Sequence, residues 1–298
     1  MTLHELLSQG RPVIADGGMG TMLFSLGLAE GHTPELWNVE QPEKVLYIHQ
    51  EYIKAGAQII LTNTFGGSRL RLESHGLGER TYELNEAAAR LARQAADAAD
   101  HPVLVAGSIG PCGQFFSPLG LLTHEAGVES FAEQVRGLAA GGVDVLWVET
   151  MSDVQEVRAA VEACQTVAPE LPVVATMTFD THGRTMMGIT PEQAVEQFAQ
   201  MNLVACGGNC GNGPAEIEGV IEKMHAVNPS AVLVAKSNAG LPQLIDGQTV
   251  YDATPEDMAD YARRVHAKGA RIIGACCGST PQHIEAIAKA LGVPDRLP

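Results

Sequence analysis

No run of this sequence approaches the ~20 uninterrupted apolar residues that a helix needs to cross a bilayer. The opening MTLHELLSQGRPVIADGG also lacks the charged, apolar, small-residue order of an export signal. The expected location is the cytoplasm, with no membrane partner. Positive charge is scarce: 19 Lys and Arg stand against 35 Asp and Glu, a formal charge of −16. Such a field repels phosphate backbones, so nucleic acid is not expected as a partner, and it weakly favours small cations. Acidity also serves solubility. Six cysteines are too few for a disulfide scaffold, so in a reducing compartment each is a metal ligand, a nucleophile or a small core residue. The local CxxC knuckles typical of structural zinc sites are absent. So are linkers, low-complexity tracts and short internal repeats. The GGMG at 17–20 lacks the full GxGxxG and ribose carboxylate of a dinucleotide loop.

What is present is an ordinary globular composition, 45% hydrophobic and 18% charged, with 32 Gly and 16 Pro spread along 298 residues. That length suits one α/β barrel, which takes ~250 residues. Eight short β-rich apolar runs fall near 12–15, 58–62, 103–108, 143–148, 172–177, 203–206, 231–236 and 270–274, separated by stretches of helical period. Near-continuous Val, Ile, Leu and Ala suit strands buried on both faces of a parallel sheet. The expected fold is a single (β/α)8 TIM barrel forming one domain over 1–298. Thr190-Pro191-Glu192, Thr254-Pro255-Glu256 and Thr280-Pro281 read as helix starts, and 81–99 as a helix by propensity. The stretch 110–127 is the longest connection without a period, and reads equally as a functional loop or an ordered crossover.

Polar residues and glycines collect at the C-terminal ends of the runs: Asp16-Gly17-Gly18, Asn63-Thr64-Phe65, Glu149-Thr150, Asn209-Cys210-Gly211, Asn238-Ala239-Gly240 and Cys276-Cys277-Gly278. In a barrel these ends share one face, where barrel active sites lie. Cys210 and the pair Cys276, Cys277 are one strand apart in barrel order. Three thiolates with an open fourth position describe a catalytic zinc site, and soft thiolates select zinc or copper(I) over hard cations. Adjacent strand residues point to opposite faces, so the pair can share one ion only if the chain leaves extended geometry there, which Gly274 and Gly278 permit. The other readings of the pair are buried small residues or a vicinal disulfide; Cys112, Cys164 and Cys206 read as inert core thiols. An acceptor thiol entering the open position would lose its proton and become a nucleophile for a methyl group.

The stretches ADGGMGTML, GAQIILTNTFGG, GGVDVLWVET, GGNCG, SNAGLP and GACCGSTPQHI span nearly the whole chain. In that order they resemble the homocysteine S-methyltransferase family, which includes betaine-homocysteine methyltransferase and the homocysteine module of cobalamin-dependent methionine synthase. The resemblance implies that Cys210, Cys276 and Cys277 bind one zinc ion per chain. It implies that Asp16 and Glu149 hold the ammonium of homocysteine, that the amides of Gly17 and Gly18 take its carboxylate, that Thr64 assists, and that Asn238 fills the fourth metal position until substrate displaces it. Either carboxylate alone also reads as a helix cap or a partner to another side chain. Betaine enzymes cage their quaternary ammonium with aromatic rings; Gly66 and Thr150 stand where those enzymes carry tyrosines, and His32 near the place of their tryptophan, so this cage is absent. Phe115 and Phe116 are the substitutes on offer, with packing as their other role. SNAGLP and TNTFGG resemble the methionine synthase module more closely. The implied donors are a methylcorrinoid such as methylcobalamin, carried on a separate protein, or a small sulfonium or ammonium compound such as S-methylmethionine or betaine. Two rival functions are a non-catalytic homocysteine- or zinc-binding module of a multi-protein methyltransferase, and an aldolase-type barrel with Lys236 as its Schiff-base lysine.

Overall fold

The computed structural model describes residues 1–29, 31–245 and 248–293. Eight parallel strands form one sheet: β1 (Val13–Ile14), β2 (Ile59–Leu61), β3 (Leu104–Ile109), β4 (Val145–Met151), β5 (Val173–Met177), β6 (Ala205–Cys210), β7 (Leu233–Ser237) and β10 (Ala270–Ala275). Their order is β1-β10-β7-β6-β5-β4-β3-β2. The two ends meet at a narrow seam, with a single bridge between Ala15 and Ile59. The Asp16 N–H donates to Ile59 O at 3.0 Å and the Gln58 N–H to Ile14 O at 2.8 Å. The sheet is thus a nearly closed TIM barrel. All eight apolar runs become its strands, β4 and β6 running on into the polar residues beyond them.

Alternation along the strands sorts side chains into two cores. Val13, Ile59, Leu61, Leu104, Ala106, Val145, Trp147, Val174, Val234 and Ile272 fill the barrel interior, with Leu3 and Leu6 of α1 (Leu3–Ser8) in the same cluster. Their neighbours Ile14, Ile60, Val105, Leu146, Val148, Ala175 and Ile273 face the helices instead. The inward set continues toward the C-terminal ends as Ser108, Glu149, Asn209, Lys236 and Cys276, so the parity that packs the core also aims these polar groups at one mouth. Gly207 is inward too, where a Cβ would clash with the backbone of Val234.

The helices are α2 (Met19–Ser25), α3 (Trp37–Glu40), α4 (Pro42–Lys54), α5 (Arg69–Glu73), α6 (Thr81–Asp97), α7 (His124–Ala140), α8 (Val154–Val167), α9 (Pro191–Phe198), α10 (Pro214–Val227), α11 (Pro255–Ala267) and α12 (Pro281–Ala290). Thr190, Thr254 and Thr280 are N-caps with reciprocal capping boxes, each followed by Pro in the first turn. A feature without a counterpart in the apolar runs is the hairpin β8 (Gln243–Ile245) and β9 (Gln248–Val250) between β7 and α11. Among the described residues no helix is long and apolar enough to cross a membrane.

Candidate active site

At the end of β6 the backbone of Cys210 enters the left-handed region (φ 59°), followed by Gly211 at 74° and Gly213 at 111°. A non-glycine residue seldom adopts this conformation, and it marks a strained, purposeful turn. Across β7, β10 stops at Ala275 and the chain leaves extended geometry. The Cys276 N–H still donates to Ser237 O at 2.7 Å, but Cys276 O accepts from the Ser279 N–H at 3.2 Å and from its hydroxyl at 2.6 Å. Gly278 is left-handed at 81°. This turn brings the two adjacent cysteines to one side. Cys210 Sγ and Cys276 Sγ lie 2.8 Å apart, and the three thiol sulfurs of Cys210, Cys276 and Cys277 all fall within 4.8 Å of one another. None is in a disulfide.

The thiols depend on one another electrostatically. Cys210 is pushed well above the ordinary thiol range because its S–H is committed to Cys276 and Cys277. Cys277 is held far below that range, since it accepts from Cys210 and Cys276 and also from the Tyr251 hydroxyl. One proton therefore leaves readily and the others resist, until a cation offsets the crowded negative charge. An all-sulfur donor set of this kind fits a soft or borderline metal ion. Cys112, Cys164 and Cys206 are buried elsewhere, and burial pushes each thiol up.

Asn238 ties the thiol-bearing turns together: its Nδ2 donates to Gly211 O at 2.7 Å, and its Oδ1 accepts from the Cys277 N–H at 3.1 Å. Both ends of the amide are thus committed to backbone. The Tyr251 ring packs on Gly278, where a Cβ would overlap it. Sequence reasoning missed Tyr251, which follows a hairpin 26 positions before Cys277 and stands beside no chemical motif. Asn209 fixes the next strand end. Its Oδ1 accepts from the Thr150 N–H at 2.9 Å and from Thr176 Oγ1 at 2.6 Å, and its Nδ2 donates to Thr150 Oγ1 at 2.6 Å.

A cavity of about 450 Å³ opens beside the thiols, and Asp16, Glu149, Lys236 and the three cysteines line its wall. Asp16 Oδ1 accepts from Lys236 Nζ at 2.7 Å and Oδ2 from the Leu61 N–H at 2.7 Å. Burial pushes the Asp16 carboxyl up, and Lys236 with the Leu61 N–H pulls it back. Burial works against the charge on Lys236, but Asp16 and Glu149 outweigh it and hold the ammonium protonated. A protonated, paired lysine is a poor Schiff-base nucleophile. Glu149 accepts from Ser108 Oγ at 2.5 Å; burial raises its carboxyl to about 7 against the pull of Lys236. A further buried carboxylate, Glu35, faces the same cavity and accepts from the Gly66 N–H at 2.7 Å. It was not legible in the sequence.

The remaining expected contacts fall as follows. Gly17 and Gly18 line the cavity, but the Gly18 N–H donates to Ser279 Oγ at 2.9 Å. A Cβ at Gly18 would lie 2.7 Å from Cys276 O, so glycine there lets the first loop close on the cysteine turn. Thr64 is fully buried away from the cavity, its hydroxyl bonded to Thr62 Oγ1 at 2.6 Å and donating to Ser108 O at 2.7 Å. Phe116 is core, whereas Phe115 lines a separate cavity of about 260 Å³. Among the described residues, Phe65 is the one Phe, Tyr or Trp on the wall of this cavity, beside the imidazoles of His32 and His75.

Comparison with known proteins agrees with this geometry. The profile of the family described as Homocysteine S-methyltransferase matches residues 13–291. The homocysteine methyltransferase MmuM from Escherichia coli, in its metallated form, superposes with a TM-score of 0.81 at 27% identity, covering 96% of this chain and 99% of that one. Its oxidized form matches with the same score and identity over 98% of its length. A methyltransferase from Methanosarcina mazei shares the fold at a TM-score of 0.58 and 11% identity, over 95% of this chain and 93% of its own.

Proposed function

This chain belongs to the homocysteine S-methyltransferase family, and from that premise we propose that it holds one zinc ion on Cys210, Cys276 and Cys277 and methylates homocysteine to methionine from a small cationic donor. The observation that carries this reading is the convergence of three thiols within 4.8 Å on the wall of a cavity that also carries Asp16, Glu149 and Lys236. When bound, zinc supplies the Lewis acidity that lowers the pKa of an acceptor thiol to neutrality. The chain's own residues do the rest. Glu149 and the Asp16–Lys236 pair orient the amino-acid end of the acceptor, so that its sulfur reaches the three-cysteine corner. Asn238 and Tyr251 hold the Cys277 turn in place. The cavity volume is that of a small-ligand site, with room for a donor beside the acceptor; Glu35 on its wall has its carboxyl pushed up by burial, with the Gly66 N–H and Arg71 pulling it back. The formal charge of −16 on the chain favours a sulfonium or quaternary ammonium donor over a neutral one. Holding sulfur and methyl carbon in line at ~3–3.5 Å is worth several kcal/mol of the barrier.

The test is metal content measured alongside methionine formation, with S-methylmethionine, S-adenosylmethionine, betaine and methylcobalamin as donors. Stoichiometric zinc with turnover from an onium donor is expected. Turnover from methylcobalamin alone would move the donor assignment to a corrinoid, and zinc with homocysteine binding but no turnover would call for a separate methyl-carrier protein. A reduced preparation free of metal would overturn the reading. Cys277→Ala should lose zinc and activity together, the metal affinity falling by more than ~100-fold.

A further inference from the structure

Lys236 brings a buried cation to a cavity wall that also carries Arg71, Asp16, Glu35, Glu149 and the three thiols. Of the two cations it is Lys236 that acts on Glu149, Arg71 acting on Glu35, and Lys236 lies inward on β7 with its Nζ 5.8 Å from the centre of the Trp147 ring. An ammonium has three N–H donors. One goes to Asp16 at 2.7 Å, and among the described residues no other hydrogen bond leaves this ammonium. Burying charged donors without acceptors is costly, so a ligand that supplied acceptors here would gain from it. Of the two glycine amides in the first loop, that of Gly18 is already bonded to Ser279. On the same wall Glu149 has one oxygen on Ser108 and, among the described residues, no cation within ion-pair distance. A zwitterion needs one cation and one anion side by side, and Lys236 and Glu149 form that couple next to the thiols.

We propose that Lys236 anchors the carboxylate of the amino-acid acceptor while Glu149 takes its ammonium, so that Lys236 sets the preference for an α-amino acid over a simple aminothiol. This rests on the reading of the cavity as an aminothiol acceptor site. A lysine present only to neutralise Asp16 would act equally on every acceptor, which makes the two roles separable.

The experiment compares binding of homocysteine and of 3-aminopropane-1-thiol, the same molecule without its carboxylate, to the zinc-loaded protein by calorimetry. Wild type should prefer homocysteine by on the order of 100-fold, the value of a charge-assisted hydrogen bond. In Lys236→Gln that preference should fall to within a few-fold, through loss of homocysteine affinity alone, and Lys236→Arg should keep it. If Lys236→Gln does not fold, Asp16→Asn/Lys236→Gln removes both charges together and the affinity ratio reports the same quantity. An unchanged ratio, or equal weakening of both thiols, would overturn this inference and leave the proposed reaction standing. A wild type that bound neither thiol would overturn both.

Discussion

His49 lies fully buried on α4, and among the described residues neither ring nitrogen has a hydrogen-bond partner. Burial pushes its pKa down from 6.5 to about 4. The neutral ring is the folded form, and the unfolded chain binds the proton first. Its contribution to stability is therefore complete above pH 6.5 and lost as pH falls toward 4, in total about 3 kcal/mol. Urea midpoints between pH 7 and 4 should fall less steeply in His49→Leu than in wild type, and parallel curves would refute this. At the same scale, the three cysteines were legible in the sequence because thiols at strand ends have few uses. The Asp16–Lys236 pair was not, since 220 positions separate partners whose meeting depends on barrel register. Glu35 and Tyr251 were missed because neither sits beside a motif, and each acts only once distant loops have closed. Thr64 and Gly18 show the converse: their position at strand ends was readable, but not the neighbours that take up their hydrogen bonds.

Among the elements, the turn at 276–279 does most to set the chemistry. It depends on Gly278, whose φ of 81° disfavours any side chain and whose missing Cβ leaves room for the Tyr251 ring. Gly278→Ala should displace Tyr251 or the turn, costing ~1–3 kcal/mol of stability and at least about tenfold in metal affinity. Thermal unfolding and competitive chelation measure the two effects, and wild-type metal affinity in a folded variant would show that the turn tolerates a side chain. The barrel strands and the Thr-Pro helix starts were readable because hydrophobic runs and caps are local. The β8–β9 hairpin was not, because strands of three residues are too short to display a period. The opening helix α1 carries its signature in Thr2 and Glu5, which form a capping box, a signal too brief to stand out ahead of the first strand.

For the whole molecule, a metal held by the turns after β6 and β10 would join two neighbouring sectors of the barrel through β7. Free metal at ~1000 times its dissociation constant stabilises the folded state by about 4 kcal/mol. Removing it should lower Tm by on the order of 10 °C. Differential scanning calorimetry with and without a chelator checks this, and an unchanged Tm after complete metal loss would mean that the thiol corner is already rigid without its ion. The barrel as a whole was legible because eight βα units repeat; how sparsely it closes was not, since the seam between β1 and β2 rests on few contacts. One of these comes from a side chain facing the cavity: Asp16 Oδ2 holds the Leu61 N–H across the seam while Oδ1 holds Lys236. Position 16 is thus constrained twice, by its ion pair with Lys236 and by the seam. Drift toward new acceptors would run through Glu149 and Lys236, which can change without parting the barrel, and Asp16 would stay fixed even in descendants that have abandoned the reaction.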